Sequence, residues 1–271
     1  MRLLPPGFSF TKFGVSAAWR HWQGKFMSLV LRNPNSVLAA LQNRPEDVFE
    51  IRLAPGTPSP KWSDVAELAR QHSIPIRTNL APAERRPANE GKSERTGAAV
   101  ALVRERADRL VDELFVDAAA SPRGLWLALE QLQDPHNVGA IFRTAAFFGV
   151  RGIVLTRDRS APISATVYDV SSGGLEHVPF AIVPSLSRAI TLARESGVTV
   201  VGTSEHATRN IDEVPLDRPH LLIFGNEEYG LRRITQETCD ELVRLMPLGP
   251  IESLNVSVAA GVCMSRLSAR S

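Results

Sequence analysis

Apolar residues recur along this chain in two rhythms. Short unbroken runs, Leu125-Trp126-Leu127-Ala128-Leu129 foremost, return at 152–155, 179–183, 198–202, 220–224 and 242–246. Runs of that length bounded by turn residues suit buried strands. Between them, helical spacing predicts helices over 138–148, 185–195 and 231–240. Strands apolar throughout and alternating with helices predict an α/β fold: a mainly parallel sheet covered on both faces. Ligands of such sheets bind beyond the carboxyl ends of the strands.

The front half is patterned differently. Asn33-Pro34 can open a helix with Val37, Leu38 and Leu41 on one face, and residues 48–53 alternate as a strand. Residues 61–72 place Trp62, Val65, Leu68 and Ala69 on a helical face, and Ile74-Pro75-Ile76 reads as a second short strand. The result is a small αβαβ module. Residues 80–97, rich in charge, Pro and Gly, have the composition of a linker. Residues 98–103 read as a strand, and 109–115 as a short helix or strand.

Charge changes the picture of that half. Residues 1–124 hold 18 Lys/Arg against 13 Asp/Glu, whereas 125–271 hold 13 against 16. No acid precedes Glu46. Such asymmetry points the front half at a polyanion. Residues 1–26 interleave basic residues with Phe8, Phe10, Phe13, Trp19, Trp22 and Phe26, which suits either an RNA-contacting arm or a frayed extension. Arg20, His21, Gln23 and Lys25 break up any signal-like apolar core, and the longest apolar runs are too short for a bilayer. Cys239 and Cys263 lack metal-ligand spacing and read as packed thiols. The expected location is the cytoplasm.

Three polar stretches stand just after predicted strands. In Asp134-Pro135-His136-Asn137-Val138-Gly139-Ala140-Ile141-Phe142-Arg143, Asn137 sits at the mouth of a helix. A helix counted from Asn137 carries Arg143 to roughly the opposite side. In Phe224-Gly225-Asn226-Glu227-Glu228-Tyr229-Gly230-Leu231, Gly225 permits close backbone approach and Glu227 is a candidate buried acceptor. Last, Pro247-Leu248-Gly249-Pro250 leads into Ile251-Glu252-Ser253-Leu254-Asn255-Val256-Ser257. There Asn255 either merely caps the apolar helix at 256–267 or also lines a ligand site.

Taken in order, the three stretches resemble the motifs of the SpoU–TrmH family of RNA 2′-O-ribose methyltransferases, in the SPOUT class, over about residues 124–271. Asp158-Arg159-Ser160-Ala161-Pro162 and Ser171-Ser172-Gly173-Gly174-Leu175-Glu176-His177-Val178-Pro179 resemble the branch that modifies guanosine in large-subunit ribosomal RNA. Residues 28–79 resemble, more loosely, the L30e-like RNA-binding module of that branch. Leu29-Val30-Leu31-Arg32-Asn33 replaces a glycine-containing sequence usual near its start.

The resemblance implies a C-terminal SPOUT domain, 124–271, whose mainly parallel sheet carries a deep trefoil knot. Before it would come a basic, aromatic extension at 1–26, an L30e-like α/β domain at 27–79, and linker and connecting elements at 80–123. It implies S-adenosylmethionine held bent against Thr203, Phe224, Gly225, Leu245, Met246, Ile251, Ser253 and Leu254. The family's active-site positions fall on Asn137, Arg143, Glu227, Ser253 and Asn255. Arg143 would serve as general base or as anchor of the RNA phosphate. A guanidinium pKa above about 12 keeps the neutral form scarce near pH 7 and favours an electrostatic clamp. The resemblance further implies RNA as partner, no metal or membrane, and a homodimer joined through the C-terminal domain, with Arg143 of one subunit approaching cofactor held by the other. The end helix, 256–267, is either that dimer face or intramolecular core.

Other chemistries fit worse. Gly202-Thr203-Ser204-Glu205-His206 lacks the second glycine of a nucleophile elbow, and there is no P-loop or Gly-x-Gly-x-x-Gly. His136 reads as an ordinary loop histidine or an RNA contact. Two rivals remain: a transfer RNA or ribosomal RNA adenosine 2′-O-methyltransferase, and a non-catalytic RNA-binding ribosome-assembly factor.

Overall fold

The computed structural model describes residues 28–54, 56, 58–78 and 99–268; the extension expected at 1–26 and the linker expected at 80–97 lie outside them. In chain order the elements are β1 (Ser28–Leu31), α1 (Pro34–Asn43), β2 (Val48–Leu53), α2 (Pro60–Gln71), β3 (Ile76–Arg77), β4 (Ala99–Arg104) and α3 (Val111–Leu114). There follow β5 (Leu125–Leu129), α4 (Pro135–Phe147), β6 (Gly152–Thr156), α5 (Ala165–Ser171), α6 (Gly174–His177), β7 (Phe180–Val183) and α7 (Ser187–Glu195). The chain continues through β8 (Thr199–Thr203), β9 (Arg209–Asn210), β10 (His220–Phe224), α8 (Arg233–Thr238), β11 (Glu241–Arg244) and α9 (Val256–Ser268).

The second half forms a seven-stranded sheet in the order β7-β6-β5-β10-β8-β11-β9, parallel at every pairing. Its central strands bury both faces. Leu127, Leu129, Ile153, Leu222 and Phe224 join one apolar cluster, and Trp126, Ala128, Val154, Leu221 and Ile223 the other. The expected parallel sheet is therefore present. The expected strand at 242–246 lies at Glu241–Arg244, and the helix at 231–240 contracts to Arg233–Thr238. The helical turns α5 and α6 had no expectation at all. They are separated by Ser172 and Gly173, both at positive φ.

The first half forms a four-stranded sheet, β1-β4-β2-β3, backed by α1 and α2. Here the boundary expected at residue 79 needs correction. β4, assigned to the connecting segment, lies between β1 and β2 and pairs antiparallel with both. A strand's sheet partners are not legible from its own pattern, so this pairing had no local signal.

The two sheets share buried contacts. Asp169 accepts hydrogen bonds from the backbone amides of Arg32 and Asn33, both at 2.9 Å, and the Asn33 side chain returns one to the Asp169 carbonyl at 2.7 Å. Buried Arg44 grips buried Glu176 in a two-pronged pair at 2.8 and 2.7 Å and also donates to the Arg104 carbonyl. Arg106 donates to the carbonyls of Leu175 and Val178. Residues 168–178 thus carry the docking face for the small sheet.

Burial raises both thiols, Cys239 and Cys263, to about 12, as packed cysteines require. No described helix is long and apolar enough to cross a membrane.

Candidate active site

Register brings the site together. β10 lies beside β5 with Phe224 opposite Leu129, so the two strands end level, and Glu130 donates its amide to the Phe224 carbonyl at 2.8 Å. The loops after them must then run side by side. β11 ends two places further along the sheet, beyond β8. Even so, α9 returns to pack on α4 and β5, which carries residues 245–255 back across the strand ends.

The three motifs meet in one hydrogen-bonded chain. Asn255 Nδ2 donates to Asn137 Oδ1 at 3.0 Å, and Asn137 Nδ2 donates to Glu227 Oε1 at 3.2 Å. Glu227 also accepts long bonds from the amides of Gln133 (3.3 Å) and Asp134 (3.4 Å). Glu227 is exposed, which corrects the expectation of a buried acceptor; its role as an acceptor that ties two loops is present. The helix cap is Asp134, accepting from the His136 amide at 2.8 Å, and Asn137 lies inside the first turn, buried. Asn255 is more than a cap, because both ends of its side-chain amide are bonded. Its Oδ1 caps α9 through the Ser257 amide at 2.9 Å while its Nδ2 joins the chain.

Arg143 stays outside this network, exposed and without a side-chain hydrogen bond among the described residues. Its backbone is closely backed by Gly174, where a Cβ would fall 2.7 Å from the Arg143 Cα and 2.6 Å from the Phe142 carbonyl oxygen. Ser253, Ile251 and Leu254 are exposed and unbonded, in a loop whose residues 247–254 make no backbone hydrogen bond among the described residues. Met246 is partly exposed, Leu245 half-buried. Thr203 Oγ1 donates to the Ile223 carbonyl at 2.9 Å, so it braces β10. Gly225 is required where it stands, since a Cβ would fall 2.1 Å from the Gly230 carbonyl carbon, inside the turn that Asn226 and Gly230 close.

This rim fits S-adenosylmethionine in kind. Exposed apolar side chains at Leu248, Ile251 and Leu254 offer surface for an adenine, and free backbone groups beside them offer hydrogen bonds to its edge. No group of three or more His, Cys, Asp or Glu side chains suited to a metal occurs among the described residues.

Two residues here went unread in the sequence. Glu130, buried at the end of β5, accepts from the Arg232 amide (2.9 Å), Arg232 Nε (2.7 Å) and Thr235 Oγ1 (2.6 Å). Asn226 donates to the Gln131 carbonyl at 2.8 Å and accepts from the amides of Glu228 and Tyr229. A carboxylate directly after a fully apolar strand was the available signal for Glu130.

A sequence profile of the SpoU rRNA methylase family matches residues 124–265. The chain belongs to that family. SpoU-family relatives include the 23S rRNA (guanosine-2′-O-)-methyltransferases RlmB of Nitrosomonas europaea and Pseudomonas aeruginosa. Each is 36% identical over 85% of this chain, and the matches span 87% and 92% of those proteins. Among solved structures, the SpoU methyltransferase AviRb of Streptomyces viridochromogenes in complex with AdoMet aligns with a TM-score of 0.72 at 23% identity. That alignment covers 94% of this chain and 93% of AviRb. An AdoMet-bound rRNA methyltransferase from Sinorhizobium meliloti gives 0.72 at 21%, covering 92% and 89%. These two likenesses establish the shared fold.

Proposed function

We propose that this chain transfers a methyl group from S-adenosylmethionine to the 2′-hydroxyl of a guanosine ribose in large-subunit ribosomal RNA. The observation that carries it is the Asn255–Asn137–Glu227 chain, which gathers the family's three motifs at the carboxyl ends of a parallel sheet. The activity named for the RlmB relatives supplies the substrate class.

Bound at the 245–255 rim, S-adenosylmethionine supplies an electrophilic methyl group. The chain's own residues have the remaining tasks. Asn137, bonded on both sides, fixes the polar floor against which a ribose is oriented. Glu227 holds the loops after β5 and β10 in step. Among the described residues Arg143 keeps its guanidinium free of protein partners, so its charge is available to RNA and to the alkoxide that develops as the hydroxyl loses its proton. Ser253 and the turn at Phe224 and Gly225 belong to the cofactor side.

In the same reading the C-terminal domain is knotted and the small sheet is an L30e-like RNA-binding domain. What supports the knot is the return of α9 over the strand ends. The protein acts in the cytoplasm as a homodimer through its C-terminal domain. Exposed Phe147 on α4 and Val258 on α9 support that face, although Ala260, Cys263 and Leu267 turn into the core.

The test is incubation with labelled S-adenosylmethionine and total RNA, followed by mapping of alkali-resistant dinucleotides. Label in a ribose-methylated guanosine dinucleotide of large-subunit rRNA is expected. Label on a base would refute the chemistry, and failure to bind the cofactor would favour an assembly factor.

A further inference from the structure

Beside the reacting cluster lies a polar notch of about 280 Å³, lined by Gln131, Thr156, Asp158, Arg159, Pro184 and Arg232. It opens at the carboxyl ends of β5, β6 and β7, whereas β11, the strand that leads into the rim at 245–255, lies on the other side of β10. We propose that this notch reads the base of the target nucleotide, and that the base it reads is guanine.

The scaffold of the notch is locked. Gln131 and Arg159 both hold positive φ, 58° and 55°, a conformation unusual for side chains of their size. Gln131 is pinned through its amide to Thr156 Oγ1 at 2.8 Å and through its carbonyl to Asn226 Nδ2 at 2.8 Å. Thr156 in turn holds Ser160 at 2.9 Å, and buried Glu130 grips Arg232 by its amide and Nε. The recognition groups themselves are uncommitted. Among the described residues the Asp158 carboxylate, the Gln131 side-chain amide and the Arg159 guanidinium make no hydrogen bond or ion pair. Rigid backbone behind unpaired polar groups is the construction of a reading site, because a fixed donor or acceptor rejects a mismatched partner.

The chemistry of the lining selects the ligand. A carboxylate accepts only, and a guanidinium donates only. Guanine offers two donors, N1–H and the N2 amine, on its Watson–Crick edge, and two acceptors, O6 and N7, towards the other. Asp158 suits the first pair, and Arg159 and Arg232 suit the second. Adenine presents one donor beside an acceptor, so a carboxylate would meet a lone pair. A phosphate would find the arginines but would face the Asp158 charge. An unstacked base read on its edges is the usual mode of sequence-specific RNA recognition. The link to the reaction is short, because Asn226, which pins Gln131, precedes Glu227 in the same turn.

The guanine site rests on the function proposed above, and the experiment separates the two. An unmodified large-subunit rRNA transcript is methylated by the wild-type chain and the modified nucleotide mapped. That position alone is then replaced by inosine, which lacks the N2 amine, or by adenosine. We expect wild-type kcat/KM to fall about tenfold on inosine, the effect of one lost hydrogen bond to a charged acceptor, and further on adenosine. Asp158→Asn should lose a comparable factor on guanosine and treat guanosine and inosine alike, with S-adenosylmethionine affinity by calorimetry unchanged. An Asp158→Asn chain that keeps the wild-type preference for guanosine over inosine overturns the guanine site, as does a mapped nucleotide that is not guanosine. A wild-type chain that methylates no ribose overturns the function itself, before the substituted transcripts are used.

Discussion

The side-chain amide of Asn255 donates to the Asn137 oxygen at 3.0 Å, across 118 positions of sequence. That bond ties the last loop of the large sheet to its first helix, and Asn137 passes the connection on to Glu227 at 3.2 Å. Each member of this chain depends on its neighbour for orientation, so the three should behave as a unit.

Asn137→Ala and Asn255→Ala are each expected to lower kcat on rRNA about 100-fold, the scale seen when a positioned polar group is removed from a reaction site. The double variant should be little worse than the worse single one, because residues acting as a unit are strongly non-additive. Additive losses would show that the bond between them is incidental. Asn255→Ala should also cost about 1 kcal/mol of stability through the lost cap on α9, measured by urea unfolding.

Arg143→Ala should abolish turnover while leaving S-adenosylmethionine affinity nearly intact by calorimetry, because in the proposed reading its guanidinium acts on RNA. Exposed and without a side-chain bond among the described residues, it should change stability by less than about 0.5 kcal/mol. A collapse in cofactor affinity would place Arg143 in the wrong half of the site.

Gly225→Ala should destroy cofactor binding. The added methyl would stand 2.1 Å from the Gly230 carbonyl carbon, and backbone cannot yield that far without opening the turn that carries Glu227. Calorimetry showing wild-type affinity would mean the turn can reopen at no cost.

Glu176→Ala should be among the most damaging changes outside the site, at about 3 kcal/mol, since it removes the two-pronged partner of the buried Arg44 guanidinium and leaves Asp47, at 3.2 Å, as its only carboxylate among the described residues. The small sheet should loosen from the large one, seen as earlier protease cleavage in the first hundred residues. Unchanged unfolding would make the docking face dispensable.

Stability should fall in mild acid through His220. Burial, helped by Arg218, lowers this imidazole from its ordinary 6.5 to about 4, and its Nε2 has no hydrogen-bond partner among the described residues. The unfolded chain therefore takes up a proton at a pH where the folded one refuses it. That contribution is full above about pH 6.5, is lost as pH falls towards 4, and is worth on the order of 2 kcal/mol. Urea unfolding between pH 7 and pH 4 measures the slope, which His220→Gln should reduce.

Much of this architecture was written locally. Apolar runs too short for helices marked every long strand of the large sheet, and strands at 125–129 and 220–224 appear at the residues their composition indicated. Glycine at 225 and asparagines at 137 and 255 stood out because few residue types serve at a sharp corner or a helix mouth. Side-chain chemistry and chain-local geometry act over a few residues, so one sequence displays them. What folding alone decided is partnership over distance: that β4 completes the small sheet, that Arg44 finds Glu176, and that three corners far apart in the chain share one row of hydrogen bonds. Those pairings follow from sheet order and register, which depend on the whole set of strands and leave no mark on any one of them.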